Sequence, residues 1–396
     1  MLINADLHIH SRFSAATSRS MTKESLAEGA ARKGVHLIGS GDCLHPQWLD
    51  EVTSHEEVAE GTYEVRGLRV ILTAEVEALH RIHHLILFPS RSAVEAFREA
   101  IGSRAAHLET DGRPNIQMGG EEIGEAALDV GALFGPAHAF TPWTAMYAYH
   151  ATLEECYGSL AGSVSFIELG LSANSDYADR IADLQDVTFL TNSDAHSASP
   201  LRLAREFNRF EVEEATFREI ARAIERTGGR RSVLNVGLPP EEGKYNESAC
   251  IKCFRHYDLA SALERGWSCP CGGRIKKGVR DRVEELATWS EPRHPDHRPP
   301  YLSLVPLAEI VALATGMRSP TTVSVRMAWE RLVDAFGDEV NVLVDRPLDE
   351  VADVAEPRVV SAIRAFREGR VVIRPGGGGR YGQAELPRDS PSLLDF

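Results

Sequence analysis

The sequence that decides the fold stands almost at the start of the chain: Leu2-Ile-Asn-Ala-Asp-Leu-His-Ile-His10. Its apolar residues predict a buried β-strand, and Asp6, His8 and His10 alternate at its end. Because side chains on a strand alternate between its two faces, His8 and His10 project from the same face. Two imidazoles on one face, where a strand runs into its loop, are well placed to bind a metal ion together. The pair alone is not decisive, since surface or core histidines give the same pattern.

Up to about residue 210 the chain alternates short apolar runs, rich in β-branched residues, with helical patterns. Alternation of this kind predicts βα units, and therefore a parallel sheet or a barrel. A last helix is predicted at 213–226, and the glycine pair 228–229 ends it. The predicted strands lie at 2–7, 35–41, 68–77, 82–88, 132–138, 164–169, 187–193 and 206–210, with helices among them at 23–32, 93–101 and 176–184.

Further potential metal ligands recur in, or just after, the later predicted strands. In (β/α) barrels the active site gathers at the C-terminal ends of the strands, so residues at these positions should converge. Carboxylates together with imidazoles suit two or three Zn²⁺ or Mn²⁺ ions, with Mg²⁺ as a further candidate. Such ions activate water for phosphoester hydrolysis, so no Ser or Cys nucleophile is needed. The expected ligands are His8, His10, Asp42, Glu75, His84, His138, Asp194 and His196.

Four of the six cysteines crowd into one short stretch, as Cys250-x-x-Cys253 and, after fifteen intervening residues, Cys269-Pro-Cys271. The spacing predicts a closed four-thiolate Zn²⁺ site with a structural role, and glycines 272–273 supply the sharp turn that it needs. A redox pair or unconnected thiols are the alternatives. Disulfides would be spread through a small secreted domain, so clustered cysteines favour bound metal and a cytoplasmic protein.

The charge of the chain is unevenly distributed. A net charge of −15 is unusual for a nucleic-acid enzyme, because phosphate binding usually leaves a basic surface. From Lys244 to Arg282, however, the cysteine segment carries nine basic and four acidic residues. Lys276, Lys277 and Arg280 are therefore expected to contact DNA, with a solvated basic face as the alternative. No apolar run approaches the length that spans a membrane, so no membrane partner is expected.

These patterns divide the chain into three units: a catalytic barrel at 1–228, a basic four-cysteine zinc-binding module with its linker at 229–298, and a helical region at 299–396. The linker is the Pro- and His-rich stretch 291–300. Helices are predicted beyond it at 304–315, 322–336 and 357–369. The glycine run 376–379 lacks the Lys-Ser or Lys-Thr of a nucleotide-binding loop and is predicted as a loop in a Gly-rich tail.

The series of potential ligands resembles the successive motifs of the polymerase-and-histidinol-phosphatase (PHP) family. The resemblance implies a distorted (β/α)7 barrel that holds two or three metal ions and hydrolyses phosphoesters. His84 matches the family position better than the neighbouring His83. The second motif departs from the usual Thr-Asp-His, because Cys43 follows Asp42 and His45 comes two residues later, so both stay unassigned. The residues expected in catalysis are Asp194, His196 and Arg12, where Arg12 either holds a phosphate or pairs with a ligand carboxylate.

Over essentially its whole length the chain resembles the endonuclease Q family, in which a PHP barrel precedes a basic four-cysteine segment and a helical region. The resemblance implies an endonuclease that cuts DNA 5′ of uracil, hypoxanthine, xanthine or an abasic site and leaves a 3′-hydroxyl. The damaged nucleotide would leave the stack and enter a pocket. The stretches that carry the resemblance include Ala5-Asp-Leu-His-Ile-His-Ser-Arg-Phe-Ser14, Glu168-Leu-Gly-Leu-Ser172, Asn192-Ser-Asp-Ala-His-Ser197, Lys244-Tyr-Asn246 and Cys271-Gly-Gly-Arg-Ile-Lys-Lys-Gly-Val279.

Several points stay open at this stage. Ser172 and Asn174 lie in a loop, 168–176, that either contacts the edge of the damaged base or is an ordinary βα loop with a helix N-cap. A PHP-family phosphatase acting on a small phosphate monoester is the main alternative function, because the barrel and the acidic charge fit it. A DNA-binding module on a degenerate barrel would require missing ligands, and nearly all expected positions are filled. A replication sliding clamp is an open candidate as a further partner.

Overall fold

The computed structural model describes residues 1–387, and within them the chain forms eighteen β-strands and thirteen α-helices. The strands are β1 (Leu2–Asp6), β2 (Leu37–Gly39), β3 (Glu56–Ala59), β4 (Thr62–Val65), β5 (Leu68–Glu77), β6 (His83–Phe88), β7 (Ala105–Ala106), β8 (Asn115–Ile116), β9 (Leu133–Pro136), β10 (Phe166–Glu168), β11 (Thr188–Leu190), β12 (Phe207–Glu211), β13 (Arg231–Gly237), β14 (Ala249–Cys250), β15 (Ile275–Lys276), β16 (Tyr301–Ser303), β17 (Val372–Arg374) and β18 (Gln383–Glu385). The helices are α1 (Lys23–Lys33), α2 (Pro46–Thr53), α3 (Arg91–Ile101), α4 (Gly120–Asp129), α5 (Leu153–Tyr157), α6 (Ser175–Ala178), α7 (Phe217–Glu225), α8 (Leu259–Glu264), α9 (Val279–Leu286), α10 (Leu307–Thr315), α11 (Val323–Phe336), α12 (Leu348–Ala352) and α13 (Pro357–Arg367).

Seven strands close into a ring in the order β1-β2-β5-β6-β9-β10-β11. Backbone hydrogen bonds beside the strands complete the ring, from Ser165 N to Phe134 O between β9 and β10 and from His10 N to Ala195 O between β11 and β1. The predicted (β/α)7 barrel is therefore confirmed. β6 is antiparallel to both of its neighbours, because the short connection from β5 can form a hairpin but not a crossover.

A second sheet layer extends outward from β1. β12 pairs antiparallel with β1, β13 with β12, and β16 parallel with β13. The four-cysteine segment is thus inserted between two strands of one sheet. β13 lies beyond the boundary expected at 228 and yet belongs to the sheet of the barrel, because its backbone pairs with β12. The three-unit division stays a prediction, and the sheet joins its parts more closely than the sequence indicated.

The C-terminal region is helical, as predicted, and packs against the outer sheet. Helices α10 to α13 enclose a separate apolar core that includes Ile310, Leu332 and Ile363 and reaches Val236 on β13. A buried ion pair between Lys33 on α1 and Glu339 ties this region to the barrel, with Nζ and Oε1 2.7 Å apart. The barrel and the helical region therefore share contacts along two separate surfaces.

Some local predictions differ from the structure. The stretch 176–184 is one turn of helix, α6, followed by a 3-10 turn at Ala182–Leu184, because buried Asp179 receives hydrogen bonds from Arg298 instead of facing solvent. The tail loop joins two paired strands, β17 and β18. The last nine residues of the unit expected at 299–396 lie outside the described residues. No helix within residues 1–387 is long and apolar enough to cross a membrane.

Candidate metal centre and substrate cleft

Seven side chains converge at one end of the barrel. They form three groups, and within each group the potential ligand atoms all lie within 4.8 Å of one another. Five of them follow a barrel strand, and Glu75 lies near the end of β5. His83 begins β6 and reaches the same end because that strand is antiparallel. Glu75 and His10 each belong to two groups, so the groups can share ligands. The groups are His8, His10 and Glu75; His10, Asp194 and His196; and Glu75, His83 and His138.

The free ligand atoms of this cluster fit divalent cations. Nε2 of His8, Nε2 of His10 and Oδ1 of Asp194 are buried and have no hydrogen-bond partner within residues 1–387. A buried polar atom without a partner costs about 1–3 kcal/mol, so three of them in one place indicate a missing ligand. Burial would raise the pKa of the Glu75 carboxyl, but the surrounding histidines outweigh it and hold that pKa well below its usual range. The carboxylate is therefore ionised and suited to a metal ion.

The histidines are oriented by hydrogen bonds on their other ring nitrogen. Nδ1 of His8 donates to Glu168 at 2.9 Å, and Nδ1 of His10 donates to Asp42 at 2.9 Å. On His196, Nδ1 lies 2.7 Å from the hydroxyl of Thr17. These contacts direct Nε2 of each ring into the cluster, which is how ligand histidines are commonly held.

Asp42 was expected to bind metal, and the structure places it behind His10 instead. Its carboxylate accepts hydrogen bonds from the backbone and hydroxyl of Ser11 and from the hydroxyl of Ser14. Asp42 lies in a turn with φ of +50°, which aims the side chain at the loop after β1 instead of at the centre of the barrel. Its place in the structure is that of an orienting residue for His10.

His84 was also expected as a ligand, and His83 occupies that place. Nδ1 of His83 is 2.7 Å from Oε1 of Glu75, whereas Nδ1 of His84 is 2.8 Å from the hydroxyl of Tyr157 on the other face of β6. Alternation along the strand permits only one of the two to face the cluster, as the sequence implied. Burial lowers the pKa of His84 to about 3, so its ring is neutral.

The two unassigned residues of the second motif lie outside the three groups. Cys43 is fully buried in the apolar core, where burial raises the pKa of its thiol well above the ordinary value. His45 stacks on Phe13 with ring centroids 4.0 Å apart. Neither side chain is therefore placed to bind the same ions.

The cluster lies in a cleft of about 1280 Å³, which also runs past the outer sheet and the helical region. Five arginines that the sequence did not single out line it: Arg81, Arg113, Arg202, Arg205 and Arg318. Nη1 of Arg113 is 3.0 Å from Oε2 of Glu75, and the guanidinium of Arg205 donates to the Ser193 carbonyl oxygen. Two guanidinium groups therefore lie beside the ligand carboxylates at this end of the cleft.

The other predicted site residues are distributed as follows. Ser172 lines the cleft, whereas Asn174 caps α6 by accepting a hydrogen bond from Tyr177 N. Arg12 was expected in catalysis, but its guanidinium pairs with Glu51 on α2 and it does not line the cleft. The three basic residues expected to contact DNA follow the last cysteine. The ammonium group of Lys276 lies over the ring of Trp143, Lys277 pairs with Glu285, and Arg280 pairs with Glu247.

The four cysteines form a compact group, as their spacing predicted. Sγ of Cys250 is 3.5 Å from that of Cys271, and Sγ of Cys253 is 3.6 Å from that of Cys269. These separations suit four thiolates arranged around one Zn²⁺ at about 2.3 Å each. A Cβ atom on Gly273 would lie 2.5 Å from Sγ of Cys250, so the turn requires glycine at that position.

Sequence comparison finds relatives over part or all of the chain. Residues 306–370 match the family model described as the MJ0043 C-terminal domain. The uncharacterised protein MJ0043 of Methanocaldococcus jannaschii is 43% identical over 252 residues, which are 62% of this chain and only 31% of that protein. The uncharacterised protein YqxK of Bacillus subtilis is 30% identical over 404 residues, which cover 96% of this chain and 98% of that protein.

The seven-stranded barrel and its shared-ligand cluster define a metal-dependent phosphodiesterase of the PHP class. The structure is similar to the lesion-specific endonuclease PfuEndoQ of Pyrococcus furiosus, with a TM-score of 0.96, 46% identity, and coverage of 100% of this chain and 98% of that one. It is also similar to an endonuclease Q bound to a duplex with an abasic lesion at the active site, with a TM-score of 0.92, 47% identity and 98% of both chains covered. The chain belongs to the endonuclease Q family.

Proposed function

We propose that this enzyme cuts DNA on the 5′ side of a deaminated base or an abasic site and leaves a 3′-hydroxyl. The observation that carries the proposal is the cluster of potential metal ligands at one end of a cleft of about 1280 Å³, which exceeds the roughly 300–1,000 Å³ typical of small-molecule pockets and has room for a DNA strand. Family membership supports it, because one similar structure holds DNA with an abasic lesion at the active site.

In this proposal the cluster holds two or three divalent ions, Zn²⁺, Mn²⁺ or Mg²⁺. When bound, such ions supply an activated water and stabilise charge on the attacked and leaving oxygens. The chain itself supplies the shared ligand Glu75, the shared ligand His10, and the exposed edge of the cluster formed by Asp194 and His196. Glu168 and Asp42 keep the His8 and His10 rings in the tautomer whose Nε2 carries no proton and can bind metal.

The backbone at this site is held in an unusual conformation. His138 and Asp194 have backbone φ angles of +31° and +47°, and residues other than glycine rarely adopt positive φ. A Cβ on Gly170 would lie 2.6 Å from Cβ of His138, so the loop after β10 packs directly on the ligand turn. Such strain is stored where surrounding structure fixes a side chain for function.

Positive charge in the cleft is suited to a DNA backbone. Arg113 and Arg205 line the cleft next to the cluster and would hold phosphate oxygens, a role that Arg12 is not placed to fill because it does not line the cleft. Ser172, on the loop after β10, would contact the edge of the extruded base. One Zn²⁺ on the four cysteines would fix the fold of the basic module rather than react, since four thiolates leave no open position.

The test is cleavage of labelled duplexes that carry one uracil, one hypoxanthine, one abasic site or no lesion, with added Mn²⁺. Wild type is compared with Asp194→Asn and with Asp186→Asn, an exposed carboxylate outside the cluster. We expect one cut 5′ of the lesion by wild type and Asp186→Asn, and none by Asp194→Asn or on undamaged DNA. Intact DNA together with hydrolysis of a generic phosphate monoester would overturn the proposal in favour of a phosphatase.

A further inference from the structure

The cleft also carries aromatic side chains that the hydrolytic chemistry does not use. Trp143, Tyr245 and Tyr381 line it and come from three separate parts of the chain: the loop after β9, the segment before β14, and the loop between β17 and β18. The rings of Trp143 and Tyr245 meet edge to face, with centroids 4.7 Å apart. Trp143 is 38% exposed and Tyr381 is 72% exposed, so large apolar rings face the solvent in the cleft. Exposed apolar surface inside a groove is typical of a ligand site.

Two lysines lie on these rings. Nζ of Lys276 is 3.8 Å from the centroid of the Trp143 ring, and Nζ of Lys244 is 5.4 Å from that of Tyr245 and 5.9 Å from that of Tyr381. Among the ion pairs of residues 1–387, neither lysine has a carboxylate partner, in contrast to the neighbouring Lys277. In a chain with a net charge of −15, these two charges are therefore left available to an anionic ligand.

The backbone of Trp143 has an unusual conformation. Trp143 has φ of +75°, a conformation that a bulky residue rarely adopts. Its carbonyl oxygen accepts a hydrogen bond of 3.0 Å from the hydroxyl of Tyr149. A simple packing role would not require a strained backbone that holds an indole at the surface, whereas strain of this kind is common where a side chain is positioned for a ligand.

We propose that Trp143, Tyr245 and Tyr381, together with Lys244 and Lys276, form a stacking subsite for unpaired nucleotides that flank the cleaved phosphate. The proposal rests on the proposed function, because the subsite serves the DNA strand in the same cleft. Aromatic rings stack on any base, and the adjacent lysines contact phosphates, so this surface binds single-stranded DNA without sequence preference. It would hold the strand open in the same cleft as the cluster of potential metal ligands.

Binding of a fluorescein-labelled oligo(dT), which has no lesion, is measured by anisotropy with the full chain carrying Asp194→Asn. Trp143→Ala and Tyr381→Ala are each added to this parent. The matched control is Trp289→Ala, because Trp289 carries Arg293 at 4.6 Å from its ring but lies outside the cleft. Tyr381 is highly exposed, so its removal leaves the fold intact even if the Trp143 variant is destabilised.

We expect Trp143→Ala and Tyr381→Ala each to weaken oligo(dT) binding by at least about five-fold, since stacking on one aromatic ring commonly contributes that much or more. The Trp289→Ala variant should bind as the parent does. Equal binding by the parent and the Tyr381→Ala variant, or no binding of oligo(dT) by the parent, would overturn the subsite. Cleavage of lesion DNA by wild type is measured separately. Absence of cleavage would refute the proposed function, whereas the oligo(dT) measurement alone decides whether the subsite exists.

Discussion

Replacing Glu168 by Gln tests whether this carboxylate prepares the metal site. Oε2 of Glu168 accepts hydrogen bonds from Nδ1 of His8 at 2.9 Å and from Nδ2 of Asn192 at 3.0 Å, and Oε1 accepts from His138 N at 3.0 Å. Gln has almost the same shape but replaces one acceptor oxygen with an NH₂ donor. In either amide orientation, at least one of these buried donors then faces another donor.

The size of the effect follows from the bonds lost. If the amide nitrogen faces His8, the ring has to accept on Nδ1 and carry its proton on Nε2, the atom that points into the cluster. A hydrogen bond to a charged partner contributes about 1.5–3 kcal/mol, and each 1.4 kcal/mol changes an equilibrium constant about ten-fold. We therefore expect metal affinity to fall by about 10- to 100-fold, the range typical when a partner of a ligand histidine is changed.

The assay is calorimetric titration of Mn²⁺ into metal-depleted protein, followed by cleavage rates across a range of Mn²⁺ concentrations. Glu99→Gln, an exposed carboxylate on α3, is the matched control and should leave both measurements unchanged. In the Glu168→Gln variant, high Mn²⁺ should recover part of the activity, because the ligands themselves remain. An Mn²⁺ affinity equal to that of wild type would show that Glu168 does not orient His8, and the reasoning would be wrong.

Three further predictions follow from the buried charges and the strand direction. His83→Gln should abolish tight binding of one ion and most cleavage, whereas His84→Gln should keep the bound metal, as measured by metal content per chain; equal losses would contradict the assignment. Burial raises the pKa of Glu206 to about 8 from an ordinary value of 4.5, so wild type loses stability as pH rises between these two values. The Glu206→Gln variant should not show that loss. Its denaturant midpoint should therefore exceed that of wild type by an amount that grows from about pH 5 to about pH 8, and a difference in midpoint that does not change with pH would contradict the raised pKa of Glu206. Lys33→Met leaves Glu339 buried without its ion-pair partner and should lower the free energy of unfolding by about 3–5 kcal/mol, read from urea midpoints; a change below about 1 kcal/mol would show that the pair contributes little.

Much of the barrel could be predicted from local patterns. The strand predicted at 68–77 has the bounds of β5, and every strand predicted before residue 210 is present within a few residues. Hydrophobic periodicity depends only on residues close together in the chain, so it predicts strands correctly when those strands are buried in a barrel core. Six of the eight expected ligands also lie together in the three groups, because a residue at the site end of a barrel strand is carried there by the strand itself.

The failures have a common cause in the direction and pairing of distant segments. His83 faces the cluster instead of His84 because the register of β6 on β5 pairs His83 with Glu77, on the same face as Glu75, and no pattern within residues 82–88 indicates that register. Asp42 is turned toward Ser11 by a positive φ in a loop that alternation does not describe. Glu168 lies 160 positions after His8 in the chain, and Arg113 lies 38 after Glu75, so only closure of the barrel brings them together.

The sequence by itself determined the class of fold, the chemistry of the ligands and the four-thiolate group, because these depend on spacing within single strands and turns. Only the tertiary structure decided which ring nitrogens and carboxylates face the cluster, which carboxylates lie behind the histidines, and which lysines of the cleft have no carboxylate partner among residues 1–387. These properties depend on the partner of each side chain, and the partners are contributed by segments far apart in the chain. The physical reason is that hydrogen bonds, burial and charge pairing act over a few ångströms in space, whatever the separation in sequence.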